Sequence, residues 1–205
     1  MPIEPLTPER RRQQTREHLL AAAAQVFAER GFHGATLDEV AAVAGFTKGA
    51  VYSNFANKEE LFLALFQAGF ERELEALHAT LAMSAAPPES RISDFVKLIE
   101  DEWQSEPRDL GVLFQEFWLY ALRNPAARER LVDLEEQQVR SISHILQEER
   151  QRLGWEPLES PERTARLVVM LFRGISSLRI LQPEAVDRDL VEAAISFVAR
   201  ALEGA

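Results

Sequence analysis

No cysteine occurs among the 205 residues. Disulfides, cysteine-ligated zinc, thiol nucleophiles and iron–sulfur clusters are excluded together. A cysteine-free chain fits a reducing cytoplasm, which is the expected location. Histidine is scarce as well, with only His18, His33, His78 and His144. Glu75-Ala-Leu-His78 has the Glu-x-x-His spacing of di-iron bundles, but those centres need two such motifs. Ser141 stands three residues before His144, so the second motif is missing. No glycine loop suited to phosphates and no nucleophile elbow is found. No metal, cofactor or catalytic residue is therefore expected. Apolar runs such as Leu61–Phe66, Phe117–Leu122 and Leu167–Phe172 fall far short of the roughly 18 residues of a membrane span. The first ten residues hold no apolar h-region, so neither a signal peptide nor a membrane partner is expected.

Positive charge is also in deficit: 23 Lys and Arg face 33 Asp and Glu, a formal net charge of −10. Whole-chain charge is the wrong measure for a polyanion partner, because binding depends on the local face. From Arg10 to Lys58 there are seven basic and four acidic side chains, a net +3. Residues 61–205 carry 16 basic and 25 acidic ones, a net −9. A mildly basic N-terminal module on an acidic body follows from that asymmetry. Arg10, Arg11 and Arg12 suit a minor groove or phosphates, and equally suit the solvated start of a helix.

What is present is helical periodicity. At 46% hydrophobic, the chain has the material for a core. Residues 9–30 place Leu19, Leu20, Ala23, Val26 and Phe27 on one stripe, and Gly31 is positioned to end that helix. Thr36 and Glu39 form a capping box before Leu37, Val40, Ala41 and Ala44. Gly45-Phe46 breaks this short helix, and Thr47 caps a second one through about Phe55. Asn57-Lys-Glu-Glu60 opens a long helix to about Met83 in the same way. Further helices are expected near 90–104, 108–123, 125–152, 160–181 and 187–203. Asn124-Pro125 and Ser160-Pro161 each set a capping side chain before a proline at the first helical position. The expected fold is all-α with about nine helices. Its N-terminal domain is a three-helix unit over residues 1–56, and residues 57–205 form a C-terminal helical domain.

Residues 36–55 read as helix, tight turn, helix, which is helix-turn-helix geometry. Ala41 and Ala44 are small enough for the second helix to cross closely over the first. Leu37, Val40, Phe46, Val51 and Phe55 are spaced to fill the core beneath. Thr47, Lys48, Gly49, Tyr52 and Ser53 are left facing outward. Such a helix suits a major groove, with its N-terminal residues meeting base edges. Gly49 permits close backbone approach, at a cost of roughly 1 kcal/mol against alanine. Helix N-termini at Thr36 and Asn57 offer backbone N–H groups to phosphates. Lys58 in a first helical turn opposes the macrodipole, a placement that a nearby phosphate would explain.

With those residues in place, the chain resembles the TetR (tetracycline-repressor) family of bacterial transcription regulators. The likeness covers about residues 12–66. It rests on Val26-Phe27 and Gly31-Phe32, then Thr36-Leu37, Val40-Ala41, Ala44-Gly45-Phe46-Thr47, Gly49, Val51-Tyr52, Phe55 and Lys58-Glu59-Glu60-Leu61. Two positions depart from the family pattern: Phe46 replaces the usual valine, and Asn54 replaces a frequent histidine. The resemblance implies phosphate contacts from Thr36, Tyr52 and Lys58, and base-edge or groove contacts from Thr47, Lys48 and Gly49. Ser53 and Asn54 are further candidates on the same surface, equally readable as local caps.

The body is rich in aromatic and soft side chains. The resemblance implies a cavity there for a small lipophilic effector, with Trp103, Phe114, Phe117, Trp118, Met170 and Arg173 as candidate lining; plain core is the competing account. Glu116 and His144 join Arg173 as candidate polar handles. The last two helices are more apolar than one side of a monomer needs. Val168, Phe172, Ile175, Leu190, Ala194, Ile195 and Val198 are candidates for a homodimer interface, the family arrangement, against an intramolecular core. The implied function is a ligand-responsive regulator of a double-stranded operator, with repression the family default. A helical scaffold without DNA binding is the main alternative, and an all-α enzyme a weaker one.

Overall fold

The computed structural model describes residues 7–83 and 108–203. The expected helix near 90–104 and the pocket candidate Trp103 lie outside them. Among the described residues the chain forms eight α-helices and one short 3-10 turn, with no strand. They are α1 (Pro8–Gly34), α2 (Leu37–Ala44), α3 (Lys48–Tyr52), α4 (Lys58–Met83), α5 (Arg108–Arg123), α6 (Pro125–Leu153), α7 (Pro161–Leu181) and α8 (Arg188–Glu203), with Pro183–Ala185 as the 3-10 turn. The chain divides into two compact units, Met1–Ala68 with Leu113–Arg128, and Gly69–Val112 with Glu129–Ala205. No described helix is long and apolar enough to cross a membrane.

In the first unit each boundary has a local cause. Thr7 caps α1 by accepting the Arg10 N–H at 3.3 Å, with Pro8 at the first position, where its missing N–H costs nothing. Gly31 interrupts α1 as expected, at φ 70° and ψ 171°, and one further turn follows before Ala35. The capping box at α2 is complete: Thr36 Oγ1 accepts the Glu39 N–H at 3.2 Å, and Glu39 Oε2 accepts the Thr36 N–H at 3.0 Å. Gly45 at φ 70°, ψ 24° ends α2. Its N–H reaches the Ala42 carbonyl and the Phe46 N–H reaches that of Ala41, the paired bonds of a Schellman motif. Thr36→Ala is expected to cost about 1 kcal/mol, read as a fall in melting temperature of roughly 2–4 °C with helix content retained.

Two local expectations are corrected. The second short helix stops at Tyr52, not near Phe55. Ser53 Oγ and Asn54 Nδ2 both donate to the Ala50 carbonyl, at 2.9 and 2.8 Å. Side chains that bind the backbone locally compete with helix continuation. The Asx- and Ser-Pro starts differ as well. Ser160 makes no side-chain cap bond at α7, and the Asn124 amide donates back to the Tyr120 carbonyl at 2.7 Å, tying the end of α5.

The core of this unit is aromatic. Phe117 of α5 is fully buried and stacks on Phe62 of α4 at 4.6 Å between ring centroids. Phe32 meets Phe62 and Phe117 edge-on, each at 5.0 Å. Phe27 closes the cluster against Phe62 at 5.1 Å. Polar ties surround it. Tyr120 donates to Glu59 Oε1 at 2.7 Å, and that bond pushes the Tyr120 hydroxyl above its usual pKa. Glu116 Oε2 accepts the Phe32 N–H at 2.8 Å.

In the second unit, Gly154 at φ 70° ends α6. Ile175 of α7 packs with Val191 and Ile195 of α8, and Leu171, Phe172, Val186 and Ala194 close over them. Exposures of 9% for Ile175 and 6% for Ile195 leave these two interface candidates little surface for a partner chain. They occupy the seam between two helices of one protomer, because the sequence pattern marks an apolar face without saying which copy covers it. Val168 is half-buried, Leu190 is exposed, and the Val198 side chain lies outside the described residues.

Candidate nucleic-acid interface

The helix-turn-helix is formed by α2 and α3. Val51 anchors α3 with no exposed surface, and Val40 and Ala41 of α2 are buried beside the same core. That anchoring fixes which face of α3 looks outward. Thr47, Lys48, Gly49, Tyr52 and Ser53 are all exposed, as the spacing predicts. Tyr52 retains 55% of its surface and projects a hydroxyl on a rigid arm.

Thr47 caps α3 by accepting the Ala50 N–H at 3.2 Å. Gly49 has no internal steric reason to lack a side chain. A Cβ there would meet nothing closer than Thr47 Oγ1 at 3.8 Å, an ordinary contact. The space it leaves open faces outward. Asn54 is partly buried, and its carbonyl accepts from Arg16 at 3.5 Å. The Arg16 guanidinium also lies 4.5 Å from the centre of the Phe55 ring, so α1 braces the end of the motif.

The two lysines have different surroundings. Lys48 Nζ donates to Asp38 Oδ2 across the turn, and both side chains are well exposed. That hydrogen bond and the carboxylate's charge push the Lys48 ammonium above the usual lysine range. Lys58 instead donates to the His33 and Ala35 carbonyls, at 3.1 and 3.0 Å, and sits 4.8 Å from the centre of the Phe32 ring. Its burial pushes the ammonium below the usual range. The carbonyls at the end of α1 thus provide a second reason for a cation in the first turn of α4. Asn57 Oδ1 accepts the Glu60 N–H at 2.8 Å, and Glu60 reaches back to the Ala56 N–H, also at 2.8 Å.

Asp38 is the residue of this face that spacing alone did not single out. An acid in the first turn of a helix reads as a response to the macrodipole. The available signal was that Lys48 is the lone Lys or Arg between residues 36 and 55, so any acid near it counts.

The pocket candidates fall in different settings. Phe117 belongs to the aromatic core, and Phe114 lies 5.1 Å from Phe66 in the same unit. Trp118 is exposed. In the second unit Met170 is 63% exposed, and Arg173 pairs with Glu135. Of the polar handles, Glu116 is engaged by the Phe32 N–H, and His144 Nε2 lies 3.4 Å from Glu148.

The profile of the bacterial regulatory proteins of the tetR family matches residues 19–65. Over 56 residues the chain is 46% identical to the HTH-type transcriptional activator FasR of Mycolicibacterium smegmatis, covering 27% of this chain and 26% of that protein. Over 67 residues it is 45% identical to the HTH-type transcriptional repressor BepR of Brucella suis, covering 32% of each. The chain thus spans about a quarter to a third of the length of these two curated relatives. Among solved structures, the transcriptional regulator FadR of Bacillus subtilis, in complex with stearoyl-CoA, superposes with a TM-score of 0.64 at 18% identity, over 91% of this chain and 97% of that one.

Proposed function

We propose, from the match of residues 19–65 to the tetR family, that the chain is a TetR-type transcriptional regulator, a ligand-responsive repressor acting as a homodimer in the cytoplasm. Two copies of α3 would enter successive major grooves of a palindromic operator, about 34–36 Å apart. A small lipophilic molecule bound by the C-terminal helices would release it. Such release needs a ligand that binds the two protein states with different affinity. Helix α4, unbroken from Lys58 to Met83, is the proposed carrier of the change.

The observation that carries this reading is the outward face of α3. Thr47, Lys48, Gly49 and Tyr52 are exposed on a helix anchored by Val51. Gly49 lacks a side chain where the fold itself would accept one, although glycine costs a helix about 1 kcal/mol. Close approach of a duplex supplies the missing reason. Thr36 and Lys58 are proposed phosphate contacts at the edges of that face, with Ser53 and Asn54 beside Tyr52.

The test is selection of bound duplexes from a random pool, followed by gel-shift titration. Lys48→Ala and Tyr52→Ala are each expected to weaken binding of the selected duplex at least about fivefold, since one good contact is worth about 1–3 kcal/mol. Their melting temperatures should stay near wild type, because neither side chain is buried. Unaltered affinity in both variants would remove α3 from the interface.

A further inference from the structure

Lys48 is the lone Lys or Arg of the helix-turn-helix between residues 36 and 55, and Asp38 holds it. The pair spans the turn, joining the first turn of α2 to the first residue of α3. Both side chains keep much of their surface, 68% for Lys48 and 49% for Asp38. An ion pair that exposed adds little to stability. It has a larger consequence for a polyanion partner. The sequence-independent part of DNA affinity comes from cations that neutralise phosphates and release counterions. A lysine is a flexible point charge that reaches whichever phosphate is nearest. Tied to Asp38, Lys48 is withdrawn from that use, and a fixed negative charge stands beside it.

Building on the DNA-binding function proposed above, we infer that Asp38 is a specificity-determining residue: it holds Lys48 away from indiscriminate phosphate contacts and over the start of α3, where base edges are read. On non-specific duplex, Lys48 must leave Asp38 to gain a phosphate, and the carboxylate is then left facing DNA unpaired. On the operator, Lys48 reaches a base acceptor such as guanine O6 or N7 while the carboxylate keeps it oriented. The pair therefore penalises wrong sequences more than the right one, discrimination by an added repulsive element.

The neighbouring charges are consistent with this role. Glu39 turns away into the capping box with Thr36, and lies 3.7 Å from Arg30. The cap of α2 is built from Thr36 and Glu39 and leaves the Asp38 carboxylate out. Asp38 is thus open to substitution without loss of the cap.

The experiment measures affinity for the duplex recovered by selection and for a random-sequence duplex of equal length, across a salt series. Asp38→Asn is expected to bind the random duplex about three- to tenfold more tightly, with the slope of log affinity against log salt steeper by about 0.9 per protomer, the value for one added phosphate contact. Affinity for the selected duplex should rise less, so the ratio between the two falls. Asp38→Glu, which retains a carboxylate, should keep the wild-type ratio. In a Lys48→Ala background, Asp38→Asn should lose most of its effect. An unchanged ratio in Asp38→Asn, or the same change persisting without Lys48, overturns the assignment. If wild-type protein retains no duplex from the pool, the DNA-binding function itself fails, a result distinct from either.

Discussion

Phe117→Ala is expected to destabilise the unit of Met1–Ala68 with Leu113–Arg128 by about 3–5 kcal/mol, the range for a fully buried phenylalanine lost from a core. The ring has no exposed surface. It stacks on Phe62 and meets Phe32 edge-on, so its removal strips partners from both helices that flank the motif. Aromatic pairs of this geometry contribute about 0.5–1.5 kcal/mol beyond the area they bury. Against a total stability of about 5–15 kcal/mol, that loss is a large fraction. Urea unfolding should show the midpoint fall with little change in slope. Phe117→Leu, which keeps most of the volume, should cost less. Val40, Val51 and Phe55 lie in the same buried set of the unit, so DNA affinity should fall in Phe117→Ala as the folded fraction falls. A loss under about 1 kcal/mol would lie below that range and would mean that the site closes around the missing ring.

The importance of Phe117 was only half legible in the sequence. Residues 117–122 form an apolar run, which marks burial but does not name the neighbours. The resemblance drew Phe114 and Phe117 toward a ligand cavity. In the fold Phe117 packs against Phe32, as the competing plain-core account allows, and the Phe32 backbone N–H is held by Glu116 from 84 positions away. Pairing at that range depends on topology, which helical periodicity does not encode. Local features were far more legible. The capping box at Thr36, the stop at Gly45 and the outward set on α3 each follow from residues a few positions apart, and each occurs as expected. The interface candidates on α7 and α8 show the same limit as Phe117. Their apolar stripe was visible, but Ile175 and Ile195 pack within one protomer. The ion pair between Asp38 and Lys48 spans ten residues and a turn, a separation at which pattern reading loses its grip.

Gly31→Ala is expected to cost about 2–6 kcal/mol, by two mechanisms that a double-mutant cycle separates. The first is backbone strain. At φ 70° and ψ 171° the residue occupies a region almost reserved for glycine, and a side chain there costs about 1–3 kcal/mol. The second is displacement of Glu116. An added Cβ would lie 3.0 Å from Glu116 Oε2 and 3.3 Å from Oε1. Oε2 is the atom that accepts the Phe32 N–H at 2.8 Å. If the carboxylate shifts, that donor loses its partner beside the buried Phe32 ring, and an unsatisfied buried donor costs about 1–3 kcal/mol. Glu116→Ala alone removes the acceptor and should carry only the second cost. With Glu116 already truncated, Gly31→Ala has no carboxylate to displace and should carry only the first. The double variant should therefore be more stable than the sum of the single losses by the whole second cost, about 1–3 kcal/mol. Denaturant midpoints for the four proteins measure this directly. Strict additivity would mean that the carboxylate moves aside at no cost, leaving strain at Gly31 as the whole effect.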